Sequence, residues 1–336
     1  MLPPPPLPPA PAQSPPQSLP KLLFCFLGLQ LSYLTWGYMQ ELIMTGEYSP
    51  TPLSPTGRFP SAAFCVFSNR LLAVLLGSSL VRVRHGALFP PGSPPLAAFA
   101  PPALSNTCSS WAQYLSLRFV SFPVQTMFKS SKVLPVMAVG RLLKGARYTR
   151  RQLLEAAGIT LGVLVFSASS PGKSDAGDTE VPGVALLVLY VLADAFTSQW
   201  QARVYERFGR DNCDQYQMMM GVNMYAICFT SLGLVLSGEL PAVLEFLAAN
   251  PAALRHNAVT AVASAAGQLF IFYTIREFGP IVFTIIMTTR QMLSILLSSA
   301  AFGHEVGAGG ALGAALVFGA VASKIAGDGR RPEKKG

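Results

Sequence analysis

Charge is what this sequence has least of. Only 12% of its 336 residues are Asp, Glu, Lys or Arg, about half the roughly 25% of a soluble domain, and mean hydropathy is +0.42. That scarcity excludes an ordinary soluble globule. Cysteine is sparse and scattered: Cys25, Cys65, Cys108, Cys213 and Cys228 form no CxxC pair and lie mostly inside apolar runs. A disulfide scaffold and a thiolate metal site are excluded, and small buried hydrophobes remain. The three histidines (His85, His256, His304) sit at loop or helix-end positions without ligand spacing, so neither a metal nor a cofactor is expected. No Gly-rich phosphate loop follows a strand pattern, and no Ser/His/Asp set or acid–base pair can be assembled. The chain is not expected to be an enzyme.

What the chain does have is length of apolar run. Stretches of about 20 residues, enough to cross the hydrocarbon of a bilayer, recur at 22–44, 60–81, 98–117, 121–143, 152–168, 181–203, 215–237, 257–276, 280–302 and 306–325. Ten such spans predict an all-α polytopic membrane protein. The first twenty residues contain ten prolines and lack the basic start and apolar centre of a signal peptide. They are expected to form a disordered, polyproline-like tail.

The basic residues test the span count. With ten helices both termini share one side. Of the 25 Lys and Arg, four lie inside spans (Arg70, Lys129, Lys132, Arg290) and four on the far side (Arg58, Arg118, Lys173, Arg255), leaving 17 on the side of the termini. The positive-inside rule then places both termini in the cytosol. It also accounts for the net charge of +9 without any nucleic acid partner.

A shift of 158 residues lays RFVSFPVQTMFKSSK (118–132) on REFGPIVFTIIMTTR (276–290), pairing Arg118 with Arg276, Thr126 with Thr284, and Lys132 with Arg290. The shift equals five spans, an odd number, so the halves run through the membrane in opposite senses. Inverted repeats of this kind mark secondary transporters with a midplane site. The expected organisation is a tail at 1–20, a first five-helix repeat at 21–170, a loop at 171–180, a second five-helix repeat at 181–326 and a basic cytosolic tail at 327–336. Gly158 and Gly162 in span five, with Gly309 and Gly313 in span ten, form small-xxx-small faces, open to packing within the chain or to a homodimer.

The buried cations carry the chemistry. A charge in hydrocarbon costs at least about 2.5–3.5 kcal/mol on insertion scales, yet Lys129 and Lys132 sit about eight to eleven residues into span four, too deep to snorkel readily. Gln125, Lys129 and Lys132 follow i, i+4, i+7 spacing on one helical face, with Thr126 beside them and a kink expected near Pro135. Arg290 lies next to Gln291 on span nine, and Arg70 on span two could pair with Asp194 or touch a ligand. Asp194 and Glu41 cannot neutralise all four cations, so an anionic ligand is the natural partner. Asn223, Gln268, Trp111, Tyr114 and Tyr273 add amides and rings of the kind on which a base stacks and is read. A flat base at one end and anionic groups at the other suit a nucleotide. A membrane enzyme acting on a phosphorylated lipid, or a non-transporting scaffold, fits these residues less well.

Four segments carry a resemblance: LLFCFLGLQLSYLTWGYMQE (22–41), RFVSFPVQTMFKSSKVLPVM (118–137), DAFTSQWQ (194–201) and GQLFIFYTIREFGPIVFTIIMTTRQMLSILLS (267–298). Over residues 21–325 the chain resembles the nucleotide-sugar transporter family of the drug/metabolite transporter superfamily. Within it, the chain is similar to carriers of 3′-phosphoadenosine 5′-phosphosulfate. FPVQ and KSSK.LPVM are shared with relatives that carry UDP-galactose or ATP, whereas YLTWG, FTSQWQ, GQLFIFYTI and Gln291 sit closer to the phosphosulfate carriers. The resemblance implies a multi-pass Golgi exchanger moving that donor from cytosol to lumen against adenosine 3′,5′-bisphosphate or AMP. An ATP or UDP-sugar carrier of the same fold is the alternative. It implies Lys129, Lys132 and Arg290 as the phosphate and sulfate ligands. Gln291, Gln125, Thr126 and Asn223 would supply hydrogen bonds, and Trp111, Tyr114 or Tyr273 would face the base.

Overall fold

The computed structural model describes residues 19–116, 119–120, 125, 128, 131–168, 181–301, 309, 312–313, 315–317 and 319–320. Lys129 and Thr126, the proline-rich tail, the loop at 171–180 and the basic tail lie outside them. The described residues are helical, with one isolated bridge between Thr51 and Ser54. The helices are α1 (Leu19–Thr45), α2 (Ala62–His85), a 3-10 turn (Leu96–Phe99) leading into α3 (Ala100–Ser116), α4 (Val133–Lys144), α5 (Arg150–Ala168), α6 (Val181–Phe208), α7 (Gln215–Ser237), α8 (Leu240–Ala249) and α9 (Pro251–Ala301). Five of them are long and apolar enough to cross a membrane.

Local chemistry explains the boundaries. Ser61 caps α2 by accepting from the Phe64 N–H at 3.0 Å, and Gly86 ends it with φ 74°, the left-handed turn only glycine adopts freely. Asp214 and Gln217 form a reciprocal capping box at the start of α7, satisfying donors that a helix N-terminus leaves open. Helix α9 spans 51 residues but is broken at Gly279, where φ 80° and ψ 171° are not helical. Pro280 follows: it lacks the N–H to continue the first helix yet suits the first turn of the next. At 1.5 Å per residue, 51 residues reach about 76 Å, more than twice a hydrocarbon core.

Packing joins the front of the chain to the back. Helix α1 lies along the first part of α9 with Gly28 against Phe270 and Tyr33 against Gly267. In α2, Gly77 lets α7 approach until a Cβ would stand 3.1 Å from the Met220 nitrogen. Between α3 and α6, Ser105 donates to Ala193 O at 2.6 Å and Ser109 to Tyr190 O at 3.1 Å, the interhelical bonds that substitute for hydrophobic contrast in lipid. At one end the 46–61 segment docks on the α7–α9 connection. Tyr48 hydrogen-bonds His256 at 2.9 Å, Ser49 exchanges bonds with Asn250, and Ser61 hydrogen-bonds Glu239. Ile43, Phe59, Val243 and Phe246 pack beneath.

One expectation is corrected here. The stretch 121–143 does not read as one unbroken helix, because Ser131 lies outside any helix and α4 begins at Val133 with Lys132 as its N-cap. The i, i+4, i+7 ladder through Lys132 is therefore not carried by a continuous helix. Pro135 stands in the first turn of α4, where helical N–H groups have no intrahelical partner and a missing one costs little. Gly162 faces Gly313 and Val317 within the one chain: a Cβ there would lie 2.9 Å from Gly313 O. The close approach these glycines permit needs no second copy.

Candidate anion-binding site

Lys132 sits at the N-terminal end of α4 and has no capping bond of its own. Its Nζ instead donates to Asp194 Oδ2 on α6 at 2.8 Å and lies 4.4 Å from the centre of the Tyr190 ring. Asp194 and Tyr190 are four apart on α6 and so share a face. Both side chains remain partly accessible, Lys132 at 14% and Asp194 at 36%, which leaves the lysine reachable by a ligand.

Arg70 and Arg290 are placed differently. Arg70, on α2, donates from Nη1 to Asn223 Oδ1 at 3.1 Å. Asn223, fully buried on α7, donates in turn to Gln268 Oε1 at 2.7 Å and Met219 O at 2.8 Å. Arg290 lies 6.0 Å from the centre of the Tyr33 ring, and its buried Nε has no partner among the described residues. Tyr33 feels the charge of both arginines, and Tyr190 feels Lys132 and Arg290. The two tyrosines thus link the three cations into one cluster drawn from α2, α4 and the second part of α9. Among the described residues Asp194 alone pairs with a cation of this cluster; neither Arg70 nor Arg290 has an ion-pair partner. Among the described residues the centre carries surplus positive charge, its arginines held by a neutral amide and a ring, and such a charge needs a counter-ion.

The other residues read from sequence divide. Gln268 and Asn223 belong to the cluster through Arg70. Gln125 is buried, but its Nε2 is committed to Gln113 O at 2.7 Å and Ser116 Oγ at 3.3 Å, where it ties down the end of α3. Gln291 is half-buried on the turn that carries Arg290. Trp111, on α3, is 59% exposed. Tyr273 neighbours Glu277, Cys25 and Arg276 rather than the cation cluster. The side chain of Tyr114 lies outside the described residues. Arg70 does not pair with Asp194; Lys132 does.

Sequence reasoning missed Tyr33 and Tyr190, the two rings at the centre, and Gln30 on α1. Nothing in a single apolar run marks a tyrosine or an amide as inward. The Lys132–Arg290 match across the 158-residue shift was the one signal that joined the halves; Lys132 lies against Tyr190 and Arg290 against Tyr33.

Comparison with known proteins agrees with this architecture. The profile of the UAA transporter family matches residues 21–327. The human "Adenosine 3'-phospho 5'-phosphosulfate transporter 1" is 42% identical over 319 residues, 94% of this chain and 71% of that protein. The Arabidopsis thaliana "UDP-galactose/UDP-glucose transporter 5" is 31% identical over 90% of this chain and 86% of that one. A solved crystal structure superposes with a TM-score of 0.60 over 94% of this chain and all of its own, at 12% identity, a likeness of fold alone. On the match to residues 21–327 and the identity across nine-tenths of its length, the chain is a helical membrane transporter, not an enzyme, and belongs to the UAA transporter family.

Proposed function

We propose that the chain is an alternating-access antiporter that moves 3′-phosphoadenosine 5′-phosphosulfate from the cytosol into the Golgi lumen in exchange for an adenosine phosphate, adenosine 3′,5′-bisphosphate or AMP. The observation that carries this reading is the cluster of Lys132, Arg70 and Arg290, of which, among the described residues, Lys132 alone has an ion-pair partner. A phosphate carries about −1.5 to −2 charges near neutral pH, so a ligand with phosphate and phosphosulfate groups neutralises the surplus. Lys132 and Arg290 hold these groups, with Lys129 as a third cation. Gln291 and Thr126 add hydrogen bonds, and Gln268 and Asn223 hold Arg70. The relatives named for this sulfate donor are 34–42% identical, whereas those named for UDP-galactose are 30–32%.

Ten helices in two inverted repeats are part of the proposal. Exchange of the repeats turns the α3–α6 contact into the contact of α1 with the first part of α9, and maps α2–α7 onto itself. Those are the pairings the packing contains. Rocking of one repeat against the other exposes the cluster to each side in turn, with both termini cytosolic. The test is uptake of labelled 3′-phosphoadenosine 5′-phosphosulfate by proteoliposomes containing the purified chain, with ATP, AMP and UDP-galactose as competitors. Adenosine phosphates should compete and UDP-galactose should not; stronger competition by UDP-galactose rejects the substrate.

A further inference from the structure

Helix α1 presents a polar stripe that the cation cluster does not use. Gln30 is only 6% exposed, and neither its Nε2 nor its Oε1 has a hydrogen-bond partner among the described residues. A side-chain amide with both atoms unpaired and out of water is costly, and a native fold retains one where something else completes it. The position is specific. Gln30 precedes Tyr33 by three residues, one turn along the same face, and Tyr33 is the ring that feels both Arg70 and Arg290. The stripe continues along α1: Trp36 Nε1 and Gln40 Oε1 are likewise buried without partners.

We infer that Gln30 reads the base of the transported nucleotide. A carboxamide offers a donor and an acceptor side by side. The N7 edge of adenine offers the complement, an amino donor at N6 beside the N7 acceptor, and a glutamine can satisfy both at once. Tyr33 sets the distance between functions: its ring adjoins Arg290, which meets the anionic groups, while the turn before it carries the amide that meets the base. The inference rests on the transport reading above, and deepens it by assigning base selection to one side chain on α1. Hypoxanthine separates the two. It replaces the N6 amino donor with a carbonyl, so its N7 edge presents two acceptors, N7 and O6, and leaves the Gln30 carbonyl unpaired. A site built around a hydrogen bond rejects the analogue that lacks it.

The experiment measures inhibition of labelled adenosine 3′,5′-bisphosphate uptake into proteoliposomes by unlabelled adenosine and inosine 3′,5′-bisphosphates, for the full chain and two variants. The wild type should prefer the adenine compound by about tenfold, the discrimination of one good paired contact. Gln30→Met keeps the length of the side chain and removes both polar atoms; its preference should fall to near unity. Gln30→Glu keeps an acceptor for the amino group and repels two acceptors, so it should hold or raise the preference. The opposite movement of the two variants supports the inference. An unchanged ratio in Gln30→Met overturns it; where that variant fails to fold, a preference lost in Gln30→Glu overturns it instead. Failure of the transport reading looks different: wild-type uptake would then be inhibited best by a uridine compound, whatever the behaviour of Gln30.

Discussion

The substitution Asn223→Asp isolates the role of the surplus charge, because it alters almost nothing else. Asn223 Oδ1 accepts from Arg70 at 3.1 Å. A carboxylate in its place gives Arg70 the counter-ion it lacks, an attraction of about 4 kcal/mol at 4 Å with an effective dielectric of 20. Against this stands the loss of the Asn223 Nδ2 bonds to Gln268 Oε1 and Met219 O. The Gln268 amide can turn to donate, and the Met219 carbonyl, which keeps its helical bond from the backbone N–H of residue 223, comes to face a carboxylate oxygen in place of a donor, at about 1–3 kcal/mol. The fold should therefore keep its stability to within about 2 kcal/mol or gain slightly. The ligand fares otherwise. A new negative charge about 6 Å from a phosphate costs about 3 kcal/mol per phosphate charge at the same dielectric, about a hundredfold in affinity. Thermal unfolding of the detergent-solubilised protein and uptake by proteoliposomes read the two effects separately. Asn223→Leu, similar in volume and without charge, is the control and should weaken uptake far less. Uptake by Asn223→Asp equal to wild type would refute the reasoning, because the cluster would then not need its unpaired arginine.

Two further outcomes follow from the packing and the loops. A Cβ on Gly162 would lie 2.8 Å from Val317 Cγ2, whereas one on Gly158 would meet Ala320 Cβ at an ordinary 3.6 Å. Gly162→Leu should therefore cost about 1–3 kcal/mol and lower the melting temperature by several degrees, while Gly158→Ala should leave it unchanged or raise it; equal melting of the two contradicts the contact. Cys213, in the connection between α6 and α7, is fully buried, and its thiol is pushed up to about 12, first by burial and then by the charge of Asp214. Thiolate is the reactive form, and a raised value keeps the thiol protonated throughout pH 7–9. In a variant lacking the other four cysteines, maleimide should not label Cys213 in that range until the protein is unfolded; labelling that rises steeply between pH 7 and 9 in the native state would contradict this.

Much of the fold was legible in the sequence because hydrocarbon imposes length. Runs of about 20 residues locate α7 to the residue and place α2, α5 and α6 within a few residues. The Gly279-Pro280 pair marks the break inside α9, where the sequence reading changed from one span to the next. The short helix α8 falls between two of the predicted spans and is too short to cross. Which face of each helix looks inward was not legible. In water an amphipathic stripe points to the core, but lipid is as apolar as leucine and gives no such contrast. That is why Tyr33 and Gln30 pass as unremarkable members of an apolar run. Charge was the exception. Its burial is too costly to be incidental, so Lys132 and Arg290 were found, although the partner of Asp194 was not, since pairing depends on depth and rotation that no single helix encodes.

The most direct test of the central claim is counterflow in proteoliposomes: labelled 3′-phosphoadenosine 5′-phosphosulfate outside, and adenosine 3′,5′-bisphosphate, UDP-galactose or buffer preloaded inside, for the wild type and Arg290→Gln. Preloaded adenosine bisphosphate should stimulate wild-type uptake several-fold over buffer, UDP-galactose should not, and Arg290→Gln should abolish the stimulation. Uptake that is indifferent to the preloaded anion, or unchanged in Arg290→Gln, would contradict the account.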